Sequence, residues 1–158
     1  MDVGFLTWLL PAVMGALLLS AGIQDVRTRE IANAKNAAIA LLAPVWWWSI
    51  GLDPWPGMAV QLLVAALVFA LFVGAFALGQ MGGGDVKLIG ALSLWLAPLH
   101  VLDMLLAMSV IGGALTLAML IERRVRRSTA AIEVPYGVAI ALAGLLALRE
   151  PLLNQFTQ

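Results

Sequence analysis

The chain has 158 residues, 63% of them hydrophobic and 11% charged, with a mean hydropathy of +1.00, and its nine basic and nine acidic side chains cancel. A water-facing domain is about half apolar and a quarter charged, so a soluble globular domain and a disordered tail are excluded, and the lack of a basic excess excludes a nucleic-acid binder. With no cysteine there is no disulfide framework, thiolate zinc site or cysteine nucleophile.

Six apolar stretches follow in chain order: residues 3–23, 37–52, 59–78, 86–102, 104–121 and 134–148. Membrane crossing takes about 20 apolar residues per helix, so the length suffices for six spans and little else. The first stretch is too long, and its start too poor in basic residues, for a cleaved signal peptide. No polar linker or internal repeat marks a second domain. The expected fold is therefore all-α: one membrane-embedded domain over residues 1–158, with six transmembrane helices.

Charge sets the expected direction of threading. The connections 24–36, 79–87 and 122–133 share one side and hold Arg27, Arg29, Lys35, Lys87, Arg123, Arg124, Arg126 and Arg127, eight of the nine basic residues. Only Arg149 falls opposite. Short loops rich in Lys and Arg stay cytoplasmic, which puts both termini outward. Trp8, Trp46, Trp47, Trp48, Trp55 and Trp95 all fall in the outward half of this threading, and Trp46-Trp47-Trp48 reads as an outer-leaflet anchor.

Two acids on the cytoplasmic side stand apart from simple surface charge. Asp25 ends the first helix and Asp85 opens the fourth, both where hydrocarbon gives way to water. Burial disfavours a carboxylate's charged form, and a second carboxylate nearby adds to that effect. Such a pair shares a proton, so one acid acts as base to a water while the other polarises a carbonyl. Peptide hydrolysis needs those two roles together. Gly82, Gly83 and Gly84 let the backbone bend and approach an extended peptide. The first-turn N–H groups of the fourth helix are placed to orient Asp85, and Lys87 is available to a substrate carboxylate or the lipid surface.

Other chemistries fit the same residues. With fifteen glycines in the chain, Gly-x-Gly-Asp also arises by chance, and Asp25 among arginines also fits plain charge balance. A small proton- or cation-coupled transporter uses intramembrane carboxylates too, although it is expected to set them near mid-bilayer. A Mg²⁺-dependent membrane enzyme is a further candidate, with few ligands to offer. An inactive membrane scaffold, in which the motifs persist without chemistry, is the third.

Three ordered blocks carry a resemblance to a known family. Asp25-Val26-Arg27-Thr28-Arg29-Glu30-Ile31-Ala32-Asn33 is similar to Asp-x-Arg-x-x-x-Ile-Pro-Asn, Gly82-Gly83-Gly84-Asp85-Val86-Lys87-Leu88 fits Gly-x-Gly-Asp-x-Lys-Leu, and Val134-Pro135-Tyr136-Gly137 looks like a Pro-Tyr-Gly block opening the last helix. Together they resemble the prepilin peptidases, membrane aspartyl proteases of the Gly-x-Gly-Asp type, and in particular the short peptidase-only members associated with Flp or tight-adherence pili. The resemblance implies that Asp25 and Asp85 are catalytic, with Gly82, Gly84, Lys87, Arg27 and Asn33 supporting the site or the substrate. It implies cleavage of a prepilin or pseudopilin after a glycine, between a basic leader and a hydrophobic helix, at the inner membrane of a prokaryote. Membrane lipid and the pilus assembly machinery are the further partners implied. No cofactor or metal is expected.

Two departures from the family pattern are visible. Ala32 stands where proline is usual, which removes a fixed φ from the turn after Asp25. The larger relatives carry a cysteine-paired cytoplasmic domain linked to N-methylation, and a cysteine-free chain of this length is not expected to methylate. Outside the blocks, His100 and the run from Arg123 to Arg127 read as interfacial and topological, Tyr136 as structural, and Gly112, Gly113 and Ala114 as helix-packing residues.

Overall fold

The computed structural model describes residues 3–126 and 134–154. Arg127 of the basic run and the side chain of Arg149 lie outside the described residues. Six helices follow in order: α1 (Val3–Thr28), α2 (Asn33–Ser49), α3 (Ala59–Ala77), α4 (Gly83–Ser93), α5 (Pro98–Val125) and α6 (Tyr136–Asn154), with a short turn, Pro54–Met58, leading into α3. Three segments, Gly4–Thr28, Pro54–Ala77 and Pro98–Val125, are long and apolar enough to cross a membrane.

The fourth and fifth apolar stretches divide differently from the sequence expectation. α4 stops at Ser93, and residues 98–102 belong to α5, because Pro98 opens that helix at a position where a missing N–H costs nothing. At 11 residues α4 is about 16 Å long, roughly half a hydrocarbon core. Its last carbonyls thus end inside the bundle, where water cannot reach them, and side chains take over. The Gln61 amide on α3 donates to the Ser93 carbonyl at 2.9 Å and also to that of Leu96. The Trp47 indole N–H donates to the Leu94 carbonyl at 2.7 Å, and Trp95 donates to Ile39 of α2 at 2.8 Å.

These bonds correct the anchor expected of the triple tryptophan. Trp46 and Trp47 are buried, and Trp46 stacks on Trp95 with ring centroids 5.9 Å apart. Only Trp48 of the three is exposed. Helical geometry sets the division, since three consecutive residues cannot share one face.

The core lies where α1, α4 and α6 meet. Met14 and Leu18 of α1, Leu88, Ile89 and Leu92 of α4, and Ala139, Ile140 and Ala143 of α6 are fully buried. Gly144 permits the approach: a Cβ there would sit 3.1 Å from Leu18 and 3.2 Å from Leu92. α2 packs on α1 and α4, whereas α3 leans on α4 and α5 on α6. The outer helices turn Leu62, Leu63, Leu67 and Leu71 of α3, and Leu102, Leu106 and Val110 of α5, away from the protein. Contiguous apolar surface of this kind is foreign to a water-soluble monomer and suits lipid. The chain is a membrane protein.

Replacing Gln61 by Leu removes the donor and strands two buried carbonyls. The expected cost is about 1–3 kcal/mol, read as a lower unfolding midpoint in detergent micelles, and an unchanged midpoint would mean that water satisfies those carbonyls instead.

Candidate active site

At one end of the bundle α1 finishes while α4 and α6 begin. Asp25 lies in the last turn of α1 and is buried, 4% exposed. Its carboxylate accepts hydrogen bonds from the backbone N–H groups of Gly137 and Val138 in the first turn of α6. The Val138 N–H also bonds the Pro135 carbonyl at 3.1 Å, and the positive end of a helix favours an acidic group. Oδ2 of the same carboxylate is buried without a hydrogen-bond partner.

Asp85 sits in the first turn of α4, as the sequence suggested, but the N-cap position itself is Gly82. The Gly82 N–H hydrogen-bonds back to the Asp85 carboxylate, the same reach that an acidic residue makes in a capping box. A Cβ on Gly82 would stand 3.1 Å from Asp85 Oδ2. Burial, and after it the charge on Asp25, push the Asp85 carboxyl up from an ordinary 3.8 to about 6, against the Gly82 hydrogen bond. Asp25 and Asp85, from helices distant in sequence, therefore act on each other electrostatically.

The loop between α1 and α2 joins the two. Arg29 takes a left-handed conformation, φ 56°, and its N–H bonds the Asp25 carbonyl at 2.9 Å, which ends α1 and turns the chain across the site. Ile31 then packs between Gly84 of α4 and Gly137 of α6. A Cβ on Gly84 would lie 3.2 Å from the Ile31 backbone nitrogen, and one on Gly137 would lie 2.8 Å from Ile31 Cδ1. Asn36 of α2 is buried and donates to the Gly84 carbonyl at 3.0 Å. Lys87 donates to Asn33 Oδ1 at 2.8 Å, a second tie between α4 and the start of α2.

Of the residues expected at the site, Asp25, Asp85, Gly82 and Gly84 gather at one end of the bundle, and Asn33 and Lys87 bond each other beside it. Arg27 is exposed and makes no hydrogen bond or ion pair among the described residues, while Arg29 is the arginine whose charge reaches Asp25. Lys87 is held by Asn33 on a face of α4 other than that of Asp85. Ala32 keeps φ −60°, a proline-like value, and its N–H points at Gln24 Oε1 at 3.4 Å. The turn has kept its shape without the ring, helped by a hydrogen bond that proline could not donate.

Three contributors were not picked out as site residues in the sequence: Gly137, Asn36 and Ile31. A Cβ on Gly137 would lie 2.8 Å from both Cγ and Oδ2 of Asp25, so nothing larger than glycine fits against that carboxylate. The Pro135-Tyr136-Gly137 block was the available signal. Asn36 carried none. Among the described residues no group of three or more His, Cys, Asp or Glu side chains is arranged to hold a metal ion.

Residues 12–117, two thirds of the chain and including both aspartates, match the model of the type IV leader peptidase family. Comparison with curated proteins and with solved structures gives no match.

Two outcomes are expected from this geometry. Gly137→Ala forces the Asp25 carboxylate to shift, and misplacement of a reacting group by about 1 Å costs on the order of 10²-fold in turnover; activity within a few-fold of the parent would show that the contact is not needed. The second concerns pH. Because the Asp85 pKa is raised on folding, the folded chain holds a proton that the unfolded chain has lost, so this stabilisation is full below pH 3.8 and is lost as pH rises through about 6. Compared with Asp85→Asn, the parent chain should lose about 2 kcal/mol between pH 4 and pH 8, checked by melting both in micelles across that range.

Proposed function

Because the chain belongs to the type IV leader peptidase family, we propose that it is a membrane aspartyl endopeptidase that removes the leader of a type IV-like prepilin with Asp25 and Asp85 as its catalytic pair. The carrying observation is the electrostatic coupling of these two acids at one end of the bundle, each fixed by backbone N–H groups.

The roles divide by surroundings. Asp85, with its pKa near 6, retains its proton more readily than an ordinary carboxyl and serves as the acid. Asp25, whose lone pairs are oriented by the Gly137 and Val138 N–H groups, serves as the base. Water loses a proton to Asp25 as its oxygen attacks the scissile carbonyl carbon, and Asp85 gives its proton to the carbonyl oxygen. The resulting gem-diol collapses: the proton on Asp25 passes to the leaving nitrogen, the C–N bond breaks, and Asp85 recovers a proton from a diol hydroxyl. Free amine, free acid and the starting protonation state result.

In the six-crossing threading with both termini outward that the charge pattern suggests, the connections after α1 and before α4 face the cytoplasm with the basic loops. A basic leader there can reach the pair while the apolar helix that follows it stays in lipid. A glycine before the cut, the Flp class of substrate, the inner membrane as the location, and peptidase activity without methylation complete the proposal.

Asp25→Asn and Asp85→Asn each keep the side-chain shape and remove one proton-transfer role. Each should lower cleavage of a membrane-inserted prepilin by at least about 10²–10⁴-fold, scored as conversion of precursor to mature band. Cleavage near the parent rate by either variant would remove that residue from the mechanism.

A further inference from the structure

Two hollows flank the proposed catalytic pair, and they differ in what they can deliver to it. The larger, about 540 Å³, runs between α2, α3 and α4 along Ala37, Ala40, Ala66 and Gly90, with Asn33 and Lys87 at its mouth. On α4 it is bounded by Lys87, Gly90, Ala91 and Leu94. Those positions recur at helical spacing, and so do Asp85, Leu88, Ile89 and Leu92 on the opposite, core-facing side. The larger groove therefore lies on the face of α4 turned away from Asp85.

The second hollow, about 440 Å³, lies between α3 and α5. α3 is packed on α4 and α5 on α6, α4 touches α6, and α3 and α5 share no extended contact among the described residues. The result is a cleft with α3 and α5 as walls and the starts of α4 and α6 at its base. Met81 and Tyr136 line it, next in sequence to Gly82, which bonds Asp85, and to Gly137, which bonds Asp25. The unpartnered Asp25 Oδ2 lies against Gly137. Gln80, Ser109 and the Tyr136 ring give this end polar groups. Gly112 packs against the Tyr136 ring, where a Cβ would stand 3.3 Å away, but a Cβ on Gly113 would meet nothing within 4 Å. Gly113 opens onto the cleft.

We infer that the apolar helix of the substrate enters sideways from lipid between α3 and α5 and packs over Gly113, which leads the residues at its cytoplasmic end onto the pair. This rests on the peptidase proposal above and adds the docking surface for its substrate. The occupant is a single transmembrane helix, since the cleft lies between two lipid-facing helices and its floor, Met81 and Tyr136, adjoins the glycines that hold the two acids. Glycine at the wall also permits the close backbone approach by which helices associate in membranes. The two walls are the helices with the most lipid-facing surface, so a helix arriving from the bilayer meets them first.

The test uses a synthetic single-span substrate with a basic leader, a glycine before the cut and an apolar segment of about 20 residues, beside a short peptide that covers the cut alone. Gly113→Trp should raise KM for the single-span substrate at least about tenfold, with kcat little changed, and leave cleavage of the short peptide at the parent rate. Equal cleavage of the single-span substrate by Gly113→Trp and the parent would overturn the inference. The chain has no cysteine, so Gly113→Cys and Ala40→Cys can each be crosslinked to cysteines stepped along the apolar segment. Crosslinks at Gly113→Cys support the cleft, whatever Gly113→Trp does to folding, and crosslinks at Ala40→Cys alone overturn it in favour of the larger groove. Failure of the parent chain to cut either substrate would defeat the peptidase proposal, while the crosslinks still decide where the helix docks.

Discussion

The Asp25 carboxylate, closed in at the first turn of α6, is the contact around which the rest of the protein is arranged. An acid this deeply buried is tolerable only with hydrogen-bond donors directed at it, and the N-terminus of α6 provides them. Docking α6 there brings α6 along the length of α1, with Gly22 against Ala141 and Gly144 against Leu18. Once α1 and α6 are joined, α4 fills the remaining side of the core with Leu88, Ile89 and Leu92. Asp85 is then carried to the same end of the bundle by the register of a short helix.

That short helix poses the matching problem at its other end. α4 stops half-way through an apolar body, and its terminal carbonyls take their hydrogen bonds from Gln61 and Trp47, while the nearby Trp95 indole bonds back to α2. Polar side chains buried in a membrane protein often mark a conducting path. Gln61 has another purpose: it ends a helix where no water can. The depth and tilt of Asp85 follow from how firmly that far end is tied.

Glycine shapes the site more than any reactive group does. Gly82, Gly84 and Gly137 each stand where a Cβ would press on an aspartate or on Ile31. The absence of side chains lets the acids and the Ile31 turn pack directly against bare backbone. Ile31 packs an apolar side chain between the first turns of α4 and α6.

By itself the sequence determined that the protein is helical and lies in a membrane, because hydropathy summed along the chain leaves no other solvent for it. It also singled out both acids and the glycines beside Asp85, through local spacing that no folding is needed to see. Pro98 was legible as an interruption, yet whether it ended α4 or opened α5 depended on Gln61 and Trp47 being present across the bundle to accept a helix end at Ser93. Trp46 and Trp47 read as interfacial until neighbours from α4 covered them. Asn36 had no local mark of importance, and Gly137 and Ile31 were marked only as members of their blocks, since each matters through an atom brought from more than 40 residues away. Only the tertiary structure decided those, because electrostatic coupling and steric fit depend on distance in space, while composition and periodicity record only distance along the chain.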